Sequence, residues 1–209
     1  MSASPVPSTC SGLRITGVVR HPHRHALLPL HAWGNGSCER FRQQYPSWHK
    51  DPKHLGVLAI NAQAESLMEK PMWRRALQKR RCLIPADGFY EWQKLDAKNK
   101  QPYAFGMKSG EPFAFAGLWE RWMAPDGKPL DSFAIITTDP NEVAAKVHTR
   151  MPVIVEPRDY TRWLTVEQEA QPPVDLLRPY DAEAMKAWKV GSAVGNVRNN
   201  DPSLCEEVS

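Results

Sequence analysis

The chain has 209 residues, of which 42% are hydrophobic and 24% charged, with a formal net charge of +4 at pH 7. That length suits one domain with a substantial core, and the balance lies inside the range of ordinary globular proteins, away from disordered or membrane compositions. No apolar run reaches about 18 residues, and the opening residues hold no apolar stretch ending in a small-residue cleavage site, so the expectation is a cytoplasmic protein that does not engage membranes. Cys10, Cys38, Cys82 and Cys205 are scattered and form no CxxC pair, which argues for reduced thiols and against a disulfide framework or a zinc knuckle.

Residues 1–44 open with the Pro/Ser-rich MSASPVPSTCSG, pass through HPHRH and continue as HAWGNGSCERFRQQ. They show neither helical nor strand periodicity, and irregular structure is expected there. From Gly56, GVLAINAQAE reads as a strand passing from a buried to a half-exposed setting. SLMEKPMWRRALQKR predicts a helix over 66–80, with Ser66 as N-cap or with Pro71 marking the true start. Arg74, Arg75, Lys79, Arg80 and Arg81 crowd into this stretch. They fit either a track for a phosphate backbone or a solvated helix face.

RCLIPADGFYEWQK reads as two strands broken between Pro85 and Gly88, because Asp-Gly after Pro is a turn signal. On the second strand Tyr90 and Trp92 share one face and Glu91 takes the other. PYAFGMK, PFAFAGLWERW and SFAIITT are further strands, and NEVAAKV predicts a short helix opening at an Asp139/Asn141 cap region. RDYTRWLTVE suits another helix, WKVGSAVGNV another strand, and DPSLCEEVS a frayed end. Strands outnumber helices and do not alternate with them. The expected fold class is therefore α+β, a single domain with a mainly antiparallel, barrel-like β-sheet core and peripheral helices. Its expected bounds are 45–200, between an atypical segment 1–44 and a tail 201–209.

Three residues stand out for chemistry: Asn61 in AINAQAES, Glu91 in ADGFYEWQK and His148 in VHTRMPVIV. Each alone has a structural explanation, as a strand-end amide, an exposed strand position and a core histidine. Together with their flanks they resemble the SOS-response-associated peptidase family of abasic-site processing proteins. The matching blocks run in the family's order: WHKDPK, INAQAE, RRCLIPADGFYEW, FAFAGLWE, FAIITTDPNEVAAKVHTRMPVI and AVGNVRNN.

The resemblance implies capture of abasic sites in single-stranded DNA, and the protein is expected to act as a monomer without a cofactor. Family members expose an N-terminal cysteine whose amine condenses with the ring-opened deoxyribose aldehyde, and whose thiol then closes a thiazolidine, leaving a covalent DNA-protein crosslink. A neutral amine and a thiol suit these two additions. The resemblance also implies peptidase activity at the protein's own N-terminus and a lyase-like reversal. Carried over, Glu91 would shuttle protons in sugar ring-opening and N-terminal processing, His148 would donate to the sugar hydroxyl or oxyanion, and Asn61 would orient the amine. Arg150 would hold phosphate and Trp48 would stack on a base, with Arg74 and Arg75 adding positive charge for DNA.

The sequence departs from the family at its start, where Ser2 follows Met1 in place of cysteine, and at Gln63, where an arginine is common. Three accounts of the start are open: a shifted reading frame or misassigned start, exposure of Cys10 by clipping after Thr9, or loss of crosslinking with DNA affinity retained. Two readings of function follow alongside capture, a non-covalent single-strand binding module and a peptidase without crosslinking. His21, His23 and His25 alternate near Cys10 but match no closed zinc spacing, so no metal site is expected.

Overall fold

A computed structural model describes residues 60–165, 171–196, 198–199 and 201–209. The described chain is α+β. Strand β1 (Asn61–Gln63) leads through a one-turn 3-10 helix at Ala64–Ser66 into helix α1 (Pro71–Lys79). Strands β2 (Arg81–Ala86), β3 (Phe89–Lys94), β4 (Lys100–Met107), β5 (Phe113–Met123) and β6 (Pro129–Thr138) follow. The short β7 (Met151–Pro152) and β8 (Ile154–Val155), helix α2 (Tyr160–Leu164) and β9 (Met185–Lys189) complete the framework. No helix among the described residues is long and apolar enough to cross a membrane.

The larger sheet runs β1-β6-β5-β2 and curls into a half-barrel, with β7 on β6 and β8 on β5. All its pairings are antiparallel except β1 with β6. A second sheet, β3-β4-β9, packs against it. Strand alternation assigns residues to two core layers. Ala116, Leu118, Ala134 and Ile136 face α1 and α2, where they meet Trp73, Leu77 and Trp163. Phe113, Phe115 and Ile135 face the second sheet, where Phe89 and Phe105 stack with centroids 4.8 Å apart. Each fully buried side chain of this size contributes roughly 1.5–3 kcal/mol. Gly117 keeps β5 close to β2: a Cβ there would lie 2.4 Å from Ile84 Cδ1 and 2.9 Å from Cys82 Sγ, so those side chains would have to shift.

Several expectations need correction. Of the two starts expected for the helix of 66–80, the chain takes Pro71 and not Ser66, because the fixed φ of proline suits a first helical position. Ser66 closes the preceding 3-10 turn, its Oγ donating to the Gln63 carbonyl, and caps nothing. Of the five clustered cations only Arg74, Arg75 and Lys79 are exposed. Arg80 pairs with buried Glu120 at 2.6 Å and Arg81 is itself buried. The break after β2 is confined to Asp87 and Gly88, and the flanking strands enter different sheets.

NEVAAKV makes only a 3-10 turn at Ala144–Lys146, although Asn141 does cap it through Oδ1, which accepts from the Ala144 amide at 2.9 Å. WKVGSAVGNV is strand only to Lys189 and then a 3-10 turn at Ser192–Gly195. The end is docked rather than frayed. Val208 N donates to Lys189 O at 3.0 Å, Trp188 Nε1 to Cys205 O at 2.8 Å, and Tyr90 Oη meets Cys205 Sγ at 2.9 Å. The polar tips of two aromatic residues and the open end of β9 supply partners for this tail.

Candidate acid-base site

β5 and β6 pair from Gly117↔Ile135 to Met123↔Pro129 and part company beyond that point. The chain at 151–155 fills the opening, with Val153 N donating to Ile136 O at 2.8 Å on one side and Val153 O accepting from Ala116 N at 2.9 Å on the other. His148 and Arg150 sit on the segment that enters this split. Asn61 lies on the neighbouring strand in register with Ile135, so it faces the same layer as Ile135, between the two sheets. Glu91 follows Phe89 by two residues on β3 and faces that layer from the opposite side. Tyr90 and Trp92 pack on the outer face with Val190 and Val194, as the alternation predicts. Alternation thus turns Asn61 and Glu91 toward the space between the sheets, and the His148 segment enters where β5 and β6 part.

Glu91 is 5% exposed, whereas Asn61 and His148 are half-buried. His148 Nδ1 lies 3.1 Å from the Arg150 amide and 3.2 Å from the Arg150 carbonyl, so the ring is held against the Arg150 backbone through Nδ1 and its Nε2 is the nitrogen left for other partners. The Arg150 guanidinium is engaged within the protein. It grips Glu65 bidentately at 2.9 and 2.8 Å, meets Asp139 at 3.1 Å and donates to Thr137 O at 2.8 Å. The hydrogen bond from Arg150 holds the Glu65 carboxyl below its ordinary range. A phosphate reaching Arg150 would therefore exchange with carboxylates already there.

Arg74 and Arg75 project from the exposed face of α1, which covers the other side of the half-barrel from Asn61. Cys10, Trp48 and the His21/His23/His25 run lie outside the described residues. Among the described residues no group of three or more His, Cys, Asp or Glu is placed to hold a metal ion. Sequence reasoning missed Glu65 and Gln93 as supports of the site and read Asn141 only as a cap. Glu65 anchors Arg150, Asn141 ties the turn before His148 to Tyr180 O at 2.9 Å, and Gln93 donates to Lys146 O at 2.8 Å. Gln93 carried one readable signal, its place two residues beyond Glu91 on the same strand face.

A buried glutamate, a carboxamide and an imidazole thus border the space between the two sheets of a curled α+β half-barrel. The chain belongs to the SOS response associated peptidase (SRAP) family, whose sequence profile matches residues 37–197. The abasic site processing protein YoqW of Bacillus subtilis (strain 168) is 48% identical over 187 residues, covering 88% of this chain and 83% of the relative. The abasic site processing protein HMCES of Rattus norvegicus is 33% identical, over 75% of this chain and 52% of the relative. Among solved structures, a Bacteroides thetaiotaomicron protein superposes with a TM-score of 0.73 at 28% identity, covering 80% of this chain and 75% of the other. A Bordetella bronchiseptica protein gives 0.64 at 25% identity over 90% of each chain.

Proposed function

We propose that residues 45–200 form a unit that binds single-stranded DNA as a monomer and processes its abasic sites, with Asn61, Glu91 and His148 as the reacting-site residues. The observation that supports this reading is that Asn61 and Glu91 face the space between the sheets beside the entry of the His148 segment, in a chain whose relatives are named abasic site processing proteins. Glu91 takes the proton of the C1 hydroxyl as the C1–O4 bond of the sugar breaks, and His148 Nε2–H protonates the departing O4, giving the aldehyde and a free hydroxyl. An N-terminal amine, oriented by Asn61, adds to the aldehyde and releases water as the imine forms. A thiol on the same residue then adds to the imine carbon and closes a thiazolidine. No cofactor takes part, and the work is that of a DNA-repair protein of the cytoplasm and nucleoid.

Covalent capture requires an N-terminal cysteine, and Cys10 is the candidate that clipping after Thr9 would expose; the same acid-base pair would serve such a clipping and a lyase-like reversal of the crosslink. The exposed Arg74 and Arg75 of α1 support a second reading, a non-covalent single-strand binding module. A denaturing gel with a single-stranded abasic oligonucleotide separates the two, because only covalent capture survives denaturation. For capture, Glu91→Gln should slow the reaction at least about tenfold while changing affinity little. Equal losses of rate and affinity would mean a structural role for Glu91. Persistence of the band after Cys10→Ala would exclude Cys10 as the nucleophile.

A further inference from the structure

Gln93 lies two residues beyond Glu91 on β3 and projects to the same face, about 7 Å along the strand. Its Nε2 donates to the Lys146 carbonyl at 2.8 Å. Lys146 ends the 3-10 turn Ala144–Lys146, and the Ala144 carbonyl accepts from the amides of both Val147 and His148 at 2.9 Å. The turn's root is fixed separately by Asn141, which is buried and bonded to Ala144 N at 2.9 Å and Tyr180 O at 2.9 Å. The His148 segment is therefore clamped at its start to the chain before β9, and near its end to the strand that carries Glu91.

We propose that Gln93 is a positioning residue that sets the separation of Glu91 and His148 by bonding the Lys146 carbonyl. The inference rests on the acid-base roles given above to Glu91 and His148. An amide suits the task because it stays neutral and donates at every pH where the protein is folded, whereas a carboxylate at the same place could not donate to a carbonyl. Proton transfer demands heavy atoms within about 2.6–3.2 Å. A misplacement of about 1 Å at a reacting centre costs up to roughly a hundredfold in rate. Side chains on two different sheets hold such a separation only if something ties the sheets together near them.

The test uses the full chain and its Gln93→Met, Gln93→Lys and Glu91→Gln variants. Ring-opening on a single-stranded abasic oligonucleotide is followed by trapping the aldehyde with a small alkoxyamine, which yields an oxime and water and needs no N-terminal cysteine. Gln93→Met should lower the saturating rate about tenfold or more with less than about a twofold change in half-saturating DNA concentration, and Gln93→Lys, which restores a donor, should recover most of it. In parallel, the His148 ring nitrogen signals in NMR should move in Gln93→Met and return toward the parent in Gln93→Lys, with the amide signals of β5 and β6 unmoved.

If Glu91→Gln slows ring-opening but Gln93→Met changes neither rate nor ring signals, the positioning role is overturned and the acid-base reading stands. If Glu91→Gln has no effect, the acid-base reading fails, and the ring signals decide the clamp by themselves: unmoved signals overturn it. A rate loss in Gln93→Met that follows only a reduced folded fraction, with the ring signals unmoved, overturns it as well.

Discussion

Arg81 carries a charge at 5% exposure, and its partners explain why. It donates to the carbonyls of Leu77 at 2.8 Å, Gln78 at 3.3 Å and Trp163 at 2.6 Å, and to that of Thr165. These lie at the C-terminal ends of α1 and α2, where carbonyls lack helical partners and the helix dipole favours a cation. Arg81→Met should cost about 3 kcal/mol by stripping several buried acceptors at once. Calorimetry should show a fall in Tm of roughly 6–12 °C for a chain of this size, and an unchanged Tm would mean that solvent replaces the guanidinium.

Tyr90 offers a pH signature. Burial, helped by the Cys205 thiol at 2.9 Å and the Asp87 carboxylate, holds its phenol well above the ordinary value of 10.0. Because the folded form resists an ionisation that the unfolded chain permits, this stability is complete below about pH 10 and declines as pH rises beyond it. Tyr90→Phe should flatten that alkaline decline in a denaturation series, while losing about 1 kcal/mol at neutral pH with the hydrogen bond. An alkaline limb identical to the parent's would assign it to other groups.

At the scale of elements, the site depends on where β5 leaves β6. Gly117 marks that point, paired with Ile135 on one side and Cys82 on the other. A methyl there meets the Ile84 side chain and Cys82 sulfur at impossible distances, so Gly117→Ala should destabilise by about 1–3 kcal/mol. The denaturant midpoint reads this directly, and an unaltered midpoint would show that Ile84 can swing aside. The strands themselves were readable, since FAFAGLWERW and SFAIITT alternate or run apolar over their full lengths. The turn before His148 was not, because NEVAAKV has a helix's composition, whereas the 3-10 turn it forms is tied through Asn141 to Tyr180 and through Lys146 to Gln93, contacts remote in sequence. WKVGSAVGNV likewise stops being strand where the chain turns at Gly191 to bury Val194 against the second sheet.

For the whole molecule, the distribution of charge matters more than its net value. Arg74 and Arg75 are exposed on the α1 side, whereas Arg150 is already neutralised by Glu65 and Asp139. If the bound strand reaches α1, replacing both Arg74 and Arg75 with alanine should reduce the slope of log affinity against log salt by about 1.4, from two lost phosphate contacts. Arg150→Ala should change that slope less, since its charge is spent internally. A slope unmoved by the α1 pair would confine the DNA to the rim between the sheets.

Local pattern alone determined the α+β class, the strand that presents Glu91 opposite Tyr90 and Trp92, and the family to which the INAQAE, GFYEW and HTRMP blocks belong. Those features are carried by period-two alternation and by contiguous residues, so they need no knowledge of the rest of the chain. Tertiary structure decided which cations stay exposed, that the tail docks on Tyr90 and Trp188, that Arg150 is ion-paired, and that Gln93 reaches Lys146. Each of these is a contact between segments far apart in sequence, Gln93 with Lys146 and Arg150 with Glu65 among them, and such contacts are set by how two sheets stack rather than by any local preference.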